Sequence, residues 1–433
     1  MKQGFAEEEV FGTREDKKFR KGYNYKMWQK TKNHYHLLRS IFSNVWYGFP
    51  SGNLIMIGVT GTDGKTTTVN IIYHILNTGG LNPSMISSVG AVIDGKQYDL
   101  ELHRTTPAAW GIQRFIKMAK KAGSKYLVLE TTSHALDQNR TWGINFEVGV
   151  LTNITQEHLD YHKTYENYVY AKAKLFKKSK KSIINKDDKS YKLLKNLNFS
   201  NLTTYGFSKD ADVNPQNIGF DIKIPGDFNK YNALAAIASC RSLGISEEII
   251  KKGIQSFELP IGRMEEIYKG NFRIMIDFAH TPNSFEKLLS AIREGTKGRI
   301  IHVFGSAGKR DFAKRPLMGK ASSKYADIII LTAEDPRGES VDKINSDIEH
   351  GISSNFSYTD NIDYVDNSNN QKIFFKIGDR NEAIKFAVGI AKKGDLVVCT
   401  GKSHERSMNY GKGEEPWDEF AVSRQALKDK LNI

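Results

Sequence analysis

The chain has 433 residues, of which 39% are hydrophobic and 26% charged, with a formal net charge of +14. That length exceeds one compact core, so two or three domains are expected, and the ordinary composition excludes a fibrous or low-complexity chain. The basic balance suits anionic partners such as nucleotides, nucleic acid or an acidic membrane surface, without choosing among them. Up to about Lys32 the sequence is polar and charged with no period, and partial disorder is expected. From Tyr35 to Trp46 the residues Leu37, Leu38, Ile41, Phe42, Val45 and Trp46 fall on one helical face. The simpler expectation is that this face docks on the main body. The alternative is peripheral membrane contact through residues 35–46, helped by Lys26, Lys30, Lys32 and Arg39.

Beyond Leu54, short apolar runs alternate with helical stretches. Leu54–Val59, Tyr126–Glu130 and Val148–Leu151 read as strands, and Thr66–Leu76, Tyr165–Phe176 and Asn229–Leu243 as helices. The run Lys177–Lys181 reads as a solvated turn. A break near Leu259-Pro260-Ile261-Gly262 precedes a second alternation, with strands at Phe272–Asp277, Ile300–Phe304, Ile328–Leu331 and Leu396–Cys399. Such alternation implies an α/β fold with a mostly parallel sheet in each half. Cys240 and Cys399 are too few for a disulfide framework and too far apart for a metal finger. Both are expected to be buried, reduced thiols of a cytoplasmic protein. No apolar run is long enough to span a bilayer, and Met1–Arg20 lacks the apolar core of a signal peptide.

Gly61-Thr62-Asp63-Gly64-Lys65-Thr66, followed by Thr67, links a strand to a helix. Glycines there let backbone N–H groups approach phosphate oxygens, and the helix N-terminus favours negative charge. Lys65 is placed to reach the outer phosphates and the Thr66 hydroxyl to bind Mg²⁺. The strict phosphate-loop pattern wants glycine at Val59, whereas this chain has it at Gly58, so the loop is a variant. A tight turn with an incidental lysine is the plain alternative. Glu130 ends a strand, where ligands bind in open α/β sheets, and is a candidate Mg²⁺ ligand or a simple helix cap. His158 is a candidate metal ligand, although a lone histidine is more often structural. Lys172 and Lys174 read by default as surface charges.

The ordered segments GVTGTDGKTTT, HRTTP, LETTSHALDQNR, TNITQEHLDYHKTYENYVYAKAKLF, DFNKYNALAAIA, GRMEE, IDFAHTPNSFEKLL, VFGSAGKRDFAKRPLMGKA, EDPRGES and GKSHE resemble the Mur ligases, and among them the MurE type. Residues 1–49 read as a short basic N-terminal segment with an amphipathic helix, and the resemblance covers what comes after it. A central ATP-binding domain with a phosphate-loop-like ATPase fold (50–257) and a Rossmann-like C-terminal domain that takes the amino acid (258–433) follow. It implies ATP and two Mg²⁺ ions, with Lys65, Thr66, Glu130 and His158 at the phosphate and metal positions and Lys172 at the lysine this family carbamylates. Asn229, Asn232, Arg263, Asp277 and His280 match the remaining ATP positions. Thr105, Thr106, Thr132, Gln138 and Arg140 match those that hold a muramoyl-dipeptide acceptor. Arg310, Arg337, Gly401 and Glu405 match the pocket for the incoming amino acid, where arginines grip carboxylates and Glu405 meets a distal ammonium. The implied reaction activates the acceptor carboxylate as an acyl-phosphate, which the amine then attacks in peptidoglycan precursor synthesis. The resemblance further implies a monomer with small-molecule partners, and no nucleic-acid module is recognisable.

Two features depart from the MurE pattern. The glycine loop comes early, so residues 1–49 cannot form the domain that binds the UDP part of the substrate in that family. Glu334-Asp335-Pro336-Arg337 stands where enzymes adding meso-diaminopimelate typically have Asp-Asn-Pro-Arg. Arg337 points to diaminopimelate, and Asp335 to a more cationic substrate such as lysine. The alternatives are a Mur-type ligase for a polyglutamate, folate, cyanophycin-like or lipid-linked acceptor, a regulatory protein with a decayed site, and a nucleic-acid-binding ATPase.

Overall fold

The computed structural model describes residues 14–100, 105–361 and 372–432, with side chains described from residue 31. The expected disorder before Arg14, and His103 and Arg104 of the HRTTP segment, lie outside these residues.

Two sheets organise the chain. The first runs in the order β4-β3-β2-β5-β1-β6-β7-β8. Its strands are β1 (Ile55–Thr60), β2 (Pro83–Ser87), β3 (Gly90–Ile93), β4 (Lys96–Tyr98), β5 (Tyr126–Glu130), β6 (Phe146–Leu151), β7 (Ser179–Asn185) and β8 (Leu202–Tyr205). All pairings from β2 to β8 are parallel, and β3 and β4 add an antiparallel edge. Helices cover both faces. Lys65–Thr78 and Asp227–Ser242 pack Val69, Ile72, Ala233 and Ile237 against Ile57, Val128 and Val150. Ala109–Lys121 packs Ile112, Phe115 and Ile116 on the opposite face, against Met56, Leu127 and Leu129. Burial on both faces is why the central strands read as unbroken apolar runs. Gly58 belongs to this packing rather than to the phosphate loop, since a Cβ there would lie 2.7 Å from Leu175 Cδ1.

The second sheet contains β9 (Glu265–Lys269), β10 (Arg273–Asp277), β11 (Ile300–Phe304), β12 (Ile328–Leu331), β13 (Phe356–Tyr358), β14 (Lys372–Lys376) and β15 (Leu396–Thr400). The order is β13-β14-β12-β11-β15-β10-β9, parallel except for β9 on β10. Cys240 and Cys399 are buried free thiols.

Two expectations need correction. Lys180 and Lys181 do not form a solvated turn but lie on β7, where both pair with Glu147 at 2.9 and 3.7 Å. The N-terminal region is one helix, Arg14–Tyr47, rather than a disordered arm followed by a short helix. Nor does it dock by its most apolar face. Ser40, Ser43 and Asn44 are fully buried against the body, whereas Leu38, Phe42, Val45 and Trp46 point outward. Asn44 Nδ2 donates to the Trp142 carbonyl at 2.8 Å, and Gly143 lies so close that a Cβ there would meet Asn44 Oδ1 at 2.6 Å. Close backbone approach, which needs small side chains, determined the docked face.

Candidate active site

The carboxyl ends of β5, β1 and β6 sit side by side, and each releases a loop bearing chemistry. After β1, Gly64 adopts φ 80° directly before the helix Lys65–Thr78, and a Cβ there would stand 2.2 Å from Asn232 Oδ1. The loop rests on the segment after β6. Thr152 Oγ1 and Asn153 Nδ2 donate to the Asp63 carbonyl at 2.6 and 3.0 Å, and the Asp63 N–H donates to Asn153 Oδ1 at 3.0 Å. Thr62 Oγ1 lies 3.1 Å from the Tyr168 hydroxyl, and Lys65 Nζ folds back to the Thr62 carbonyl at 2.6 Å. Positive φ and a blocked Cβ position act together at Gly64. Gly64→Ala is therefore expected to weaken nucleotide binding at least about tenfold, read by titration calorimetry. Unchanged affinity would exclude this loop as the cradle.

Glu130, at the end of β5, accepts from the Thr66 hydroxyl at 3.0 Å and from the Ser88 N–H at 2.9 Å. Thr66 Oγ1 also lies 2.8 Å from Ser88 Oγ. A carboxylate and two hydroxyls at the first turn of a helix form a hard-oxygen donor set that fits Mg²⁺ beside phosphates. Lys172 lies behind the loop, 1% exposed, donating to the Gly61 carbonyl at 2.6 Å, with its ammonium 4.5 Å from the Tyr168 ring. Burial, and then the Lys65 charge, push its pKa well below that of an ordinary lysine. His158 takes φ 57° and stacks edge-on with His134 at 4.9 Å. Its neighbour Glu157 is buried, and burial alone would raise its pKa. His158 at 3.6 Å, His280 at 3.5 Å and Lys314 instead hold that carboxyl well below the usual range. Among the described residues no cluster of three or more His, Cys, Asp or Glu has metal-binding geometry.

The second sheet presents its own carboxyl ends to the same cleft. Arg263 lays its guanidinium 4.6 Å over the Phe278 ring and reaches Thr66 Oγ1 at 3.4 Å. Asp277 ends β10 and accepts from the N–H groups of Met264 and Ala279, both at 2.7 Å. Asn283 Nδ2 and Thr281 Oγ1 donate to the two carboxylate oxygens of Asp63 at 2.7 and 3.3 Å, and His404 Nε2 sits 3.3 Å from the Ser88 carbonyl. The second half thus clasps the loop itself. Asn229, whose amide donates to the Pro225 carbonyl at 2.8 Å, lies beside Asn232.

At one end of the cleft Thr106 Oγ1 donates to the Glu130 carbonyl and accepts from the Thr132 N–H, both at 3.0 Å. Thr132 caps the next helix through the Ala135 N–H. Arg140 donates to the Thr106 carbonyl at 3.2 Å and is held by Gln138 Oε1 at 2.9 and 2.6 Å. At the other end Lys402, wholly buried, joins Asp335 at 3.0 Å to Glu405 at 2.6 Å. Arg337 reaches Asp335 at 3.4 Å, and the Asp335 charge is therefore balanced by the protein's own cations. A Cβ on Gly401 would meet Glu334 Oε2 at 2.4 Å.

A single cleft of about 920 Å³ joins the two ends. It is lined by Thr62, Asp63, Gly64, Lys65, Thr66 and Thr67 of the loop and by Glu130, His158, Asn229 and Asn232 around it. Arg263, Asp277 and His280 line its second wall, Thr105, Thr106, Thr132 and Arg140 one end, and Arg310, Arg337, Gly401 and Glu405 the other. Gly61, Lys172 and Gln138 do not line it and stand one layer back. Ser88, Asn153, Glu157, Asn283 and Lys402 escaped the motif reading. Asn153, Glu157, Asn283 and Lys402 lie within segments that resemble the family, which was the signal available for them.

Residues 59–240 match the Mur ligase middle domain and residues 262–403 the Mur ligase, glutamate ligase domain. A Clostridium acetobutylicum protein named UDP-N-acetylmuramoyl-L-alanyl-D-glutamate–2,6-diaminopimelate ligase 1 is 39% identical over 405 residues, spanning 89% of this chain and 80% of its own. A relative from Geobacillus thermodenitrificans, also named as a 2,6-diaminopimelate ligase, is 34% identical over 419 residues, spanning 90% and 82%. A solved ligase of the same description is 28% identical with a TM-score of 0.57, covering 88% of this chain and 80% of that one. The Escherichia coli FolC complex with DHPP and ADP shares the fold at 18% identity and a TM-score of 0.65, covering 92% and 94%. With both family domains present and relatives above 30% identity along most of its length, the chain belongs to the Mur ligases and is an ATP-dependent amide-bond ligase of the MurE type.

Proposed function

We propose that the chain adds meso-diaminopimelate, or alternatively L-lysine, to the terminal carboxylate of a muramoyl dipeptide in peptidoglycan precursor synthesis. The observation that carries this reading is the single cleft with a phosphate loop at its middle, the Arg140 cluster at one end and the Arg337–Asp335–Lys402–Glu405 network at the other. The loop N–H groups and Lys65 hold the ATP phosphates, while Thr106, Thr132 and Arg140, steadied by Gln138, orient the acceptor carboxylate. Thr66 and Glu130 would hold one Mg²⁺ ion, and His158 with a carbamate on Lys172 would hold a second; bound there, the ions would neutralise charge during phosphoryl transfer. Arg310 and Arg337 hold the carboxylates of the amino acid and Glu405 its distal ammonium. Because Lys402 and Arg337 already balance Asp335, that residue gives little preference for lysine, and diaminopimelate is favoured. We further assign domains at 50–257 and 258–433, a monomeric state and a cytoplasmic location.

Mass spectrometry of products tests the acceptor and the amino acid together. ATP is mixed with UDP-muramoyl dipeptide, a glutamyl peptide, a folate, diaminopimelate, lysine and glutamate. The expected product is the muramoyl dipeptide extended by diaminopimelate, with ADP and phosphate released. Extension of the glutamyl peptide or folate alone would replace this reading by the polyglutamate one.

A further inference from the structure

The net charge of +14 is not spread over the molecule. Residues 17–62 hold eight Lys or Arg and no Asp or Glu, and residues 102–129 hold six and none. Together these stretches account for the whole excess, so the remaining chain is balanced. They carry two helices that pack on each other, Arg14–Tyr47 and Ala109–Lys121. Trp46 and Tyr47 meet Trp110 edge-on at 6.1 and 5.9 Å, and Lys117 Nζ lies 3.5 Å from the Tyr47 carbonyl.

The same helix pair exposes an apolar ridge. Tyr35, Leu38, Phe42, Val45, Trp46 and Phe49 are 57, 54, 66, 61, 76 and 48% exposed. The spacing of three and four places Tyr35, Leu38, Phe42, Val45 and Trp46 on one helix face, with Phe49 just past the helix end. Scattered exposed apolar residues are normal, but a continuous row on one helix marks a contact surface. The inward face is built from Ser40, Ser43 and Asn44, so the helix carries its apolar row away from the protein core, the reverse of an ordinary docked helix.

We propose that this face docks peripherally on an anionic lipid bilayer. Leu38, Phe42, Val45 and Trp46 enter the boundary between headgroups and acyl chains, and the surrounding Arg39, Arg114 and Lys121 meet lipid phosphates. The charge is the argument for lipid over a second copy of this chain. Two such faces would bring two strongly basic stretches together, whereas an anionic headgroup layer complements the exposed Arg39, Arg114 and Lys121. The apolar row in turn favours lipid over nucleic acid, whose backbone offers it no apolar partner. No helix among the described residues is long and apolar enough to cross a membrane, so the contact is one of surface.

Flotation of the full chain with phosphatidylcholine vesicles, with and without phosphatidylglycerol, tests the proposal. Wild type is expected to float at least about fivefold more with the anionic vesicles and to be released at molar salt, where screening shortens to about 3 Å. Leu38→Glu/Phe42→Glu and, separately, Arg114→Glu/Lys121→Glu should each bring flotation down to the phosphatidylcholine level. Melting temperature and ATP binding should stay at wild-type values, because these side chains are exposed and remote from the cleft. Three results overturn the proposal. The first is wild type that floats with neither vesicle, and the second is variants that float like wild type. The third is a wild-type dimer in sedimentation that Leu38→Glu/Phe42→Glu converts to monomer without lipid dependence, which would make the occupant a second copy.

Discussion

Lys172→Ala is expected to reduce ligation by on the order of 10²-fold or more, with partial recovery on adding a short carboxylic acid. The side chain is 1% exposed and its amine sits behind the phosphate loop against the Gly61 carbonyl. Burial and the Lys65 charge disfavour its ammonium form, and a neutral amine is the form that attacks carbon dioxide to give a carbamate. A carboxylic acid small enough to enter the vacated space would restore the anionic oxygens. Wild-type rates in Lys172→Ala would remove the carbamate role. A companion variant separates chemistry from folding. Lys172→Met keeps the apolar stem and removes the amine, so activity should fall as far while the melting temperature stays equal or rises. The sign follows from the lowered pKa. The lysine costs folding stability most at low pH; that cost falls as the pH rises above its lowered folded pKa and is gone above its unfolded pKa of about 10.4. The advantage of methionine should therefore shrink at high pH.

The second large effect concerns stability. Arg380 and Glu419 are both fully buried, and Arg380 Nε and Nη2 donate to the two carboxylate oxygens at 2.9 and 2.5 Å. The same guanidinium donates to the carbonyls of Ala333 at 3.1 Å and Thr400 at 2.7 Å, the residues just before Glu334 and Gly401. Arg380→Ala leaves the Glu419 carboxylate buried without its charge partner, still accepting from the Trp417 indole N–H at 2.9 Å. The expected cost is about 3–5 kcal/mol, or a fall in melting temperature of roughly 10 °C by calorimetry. Arg380→Met/Glu419→Leu should recover most of it, since replacing both partners leaves no lone charge. A single variant melting with wild type would show that the pair contributes nothing. Because both carbonyls underpin the amino-acid end of the cleft, KM for the amino acid should rise more than KM for ATP.

The strands legible in the sequence were those covered on both faces. The expected strands at Leu54, Tyr126, Phe272, Ile300, Ile328 and Leu396 match observed strands to within a residue or so, because an unbroken apolar run has few other fates. The edges were not legible. β7 is SKKSIIN, and its lysines hid a strand whose outer half is paired with Glu147. β9 is EEIYK, an antiparallel edge with half-exposed side chains and no apolar run. The N-terminal helix misled in the opposite sense, since its fully buried residues are Ser40, Ser43 and Asn44 while Leu38, Phe42 and Val45 are exposed. The site was legible where a loop carried its own geometry, as with Gly64-Lys65-Thr66. Ser88, Asn283 and Lys402 are ordinary residues in sequence, and only the folding of two sheets onto one cleft gives them neighbours worth noting.

The contact of Asn283 and Thr281 with Asp63 has a kinetic consequence. The residue that helps shape the phosphate loop is gripped from the opposite half of the molecule. Release of a spent nucleotide is then expected to need these contacts to break, and binding of a fresh one to let them form again. Turnover is therefore expected to slow in viscous media even when every reacting group is intact, and a rate independent of viscosity would show that this contact does not pace it.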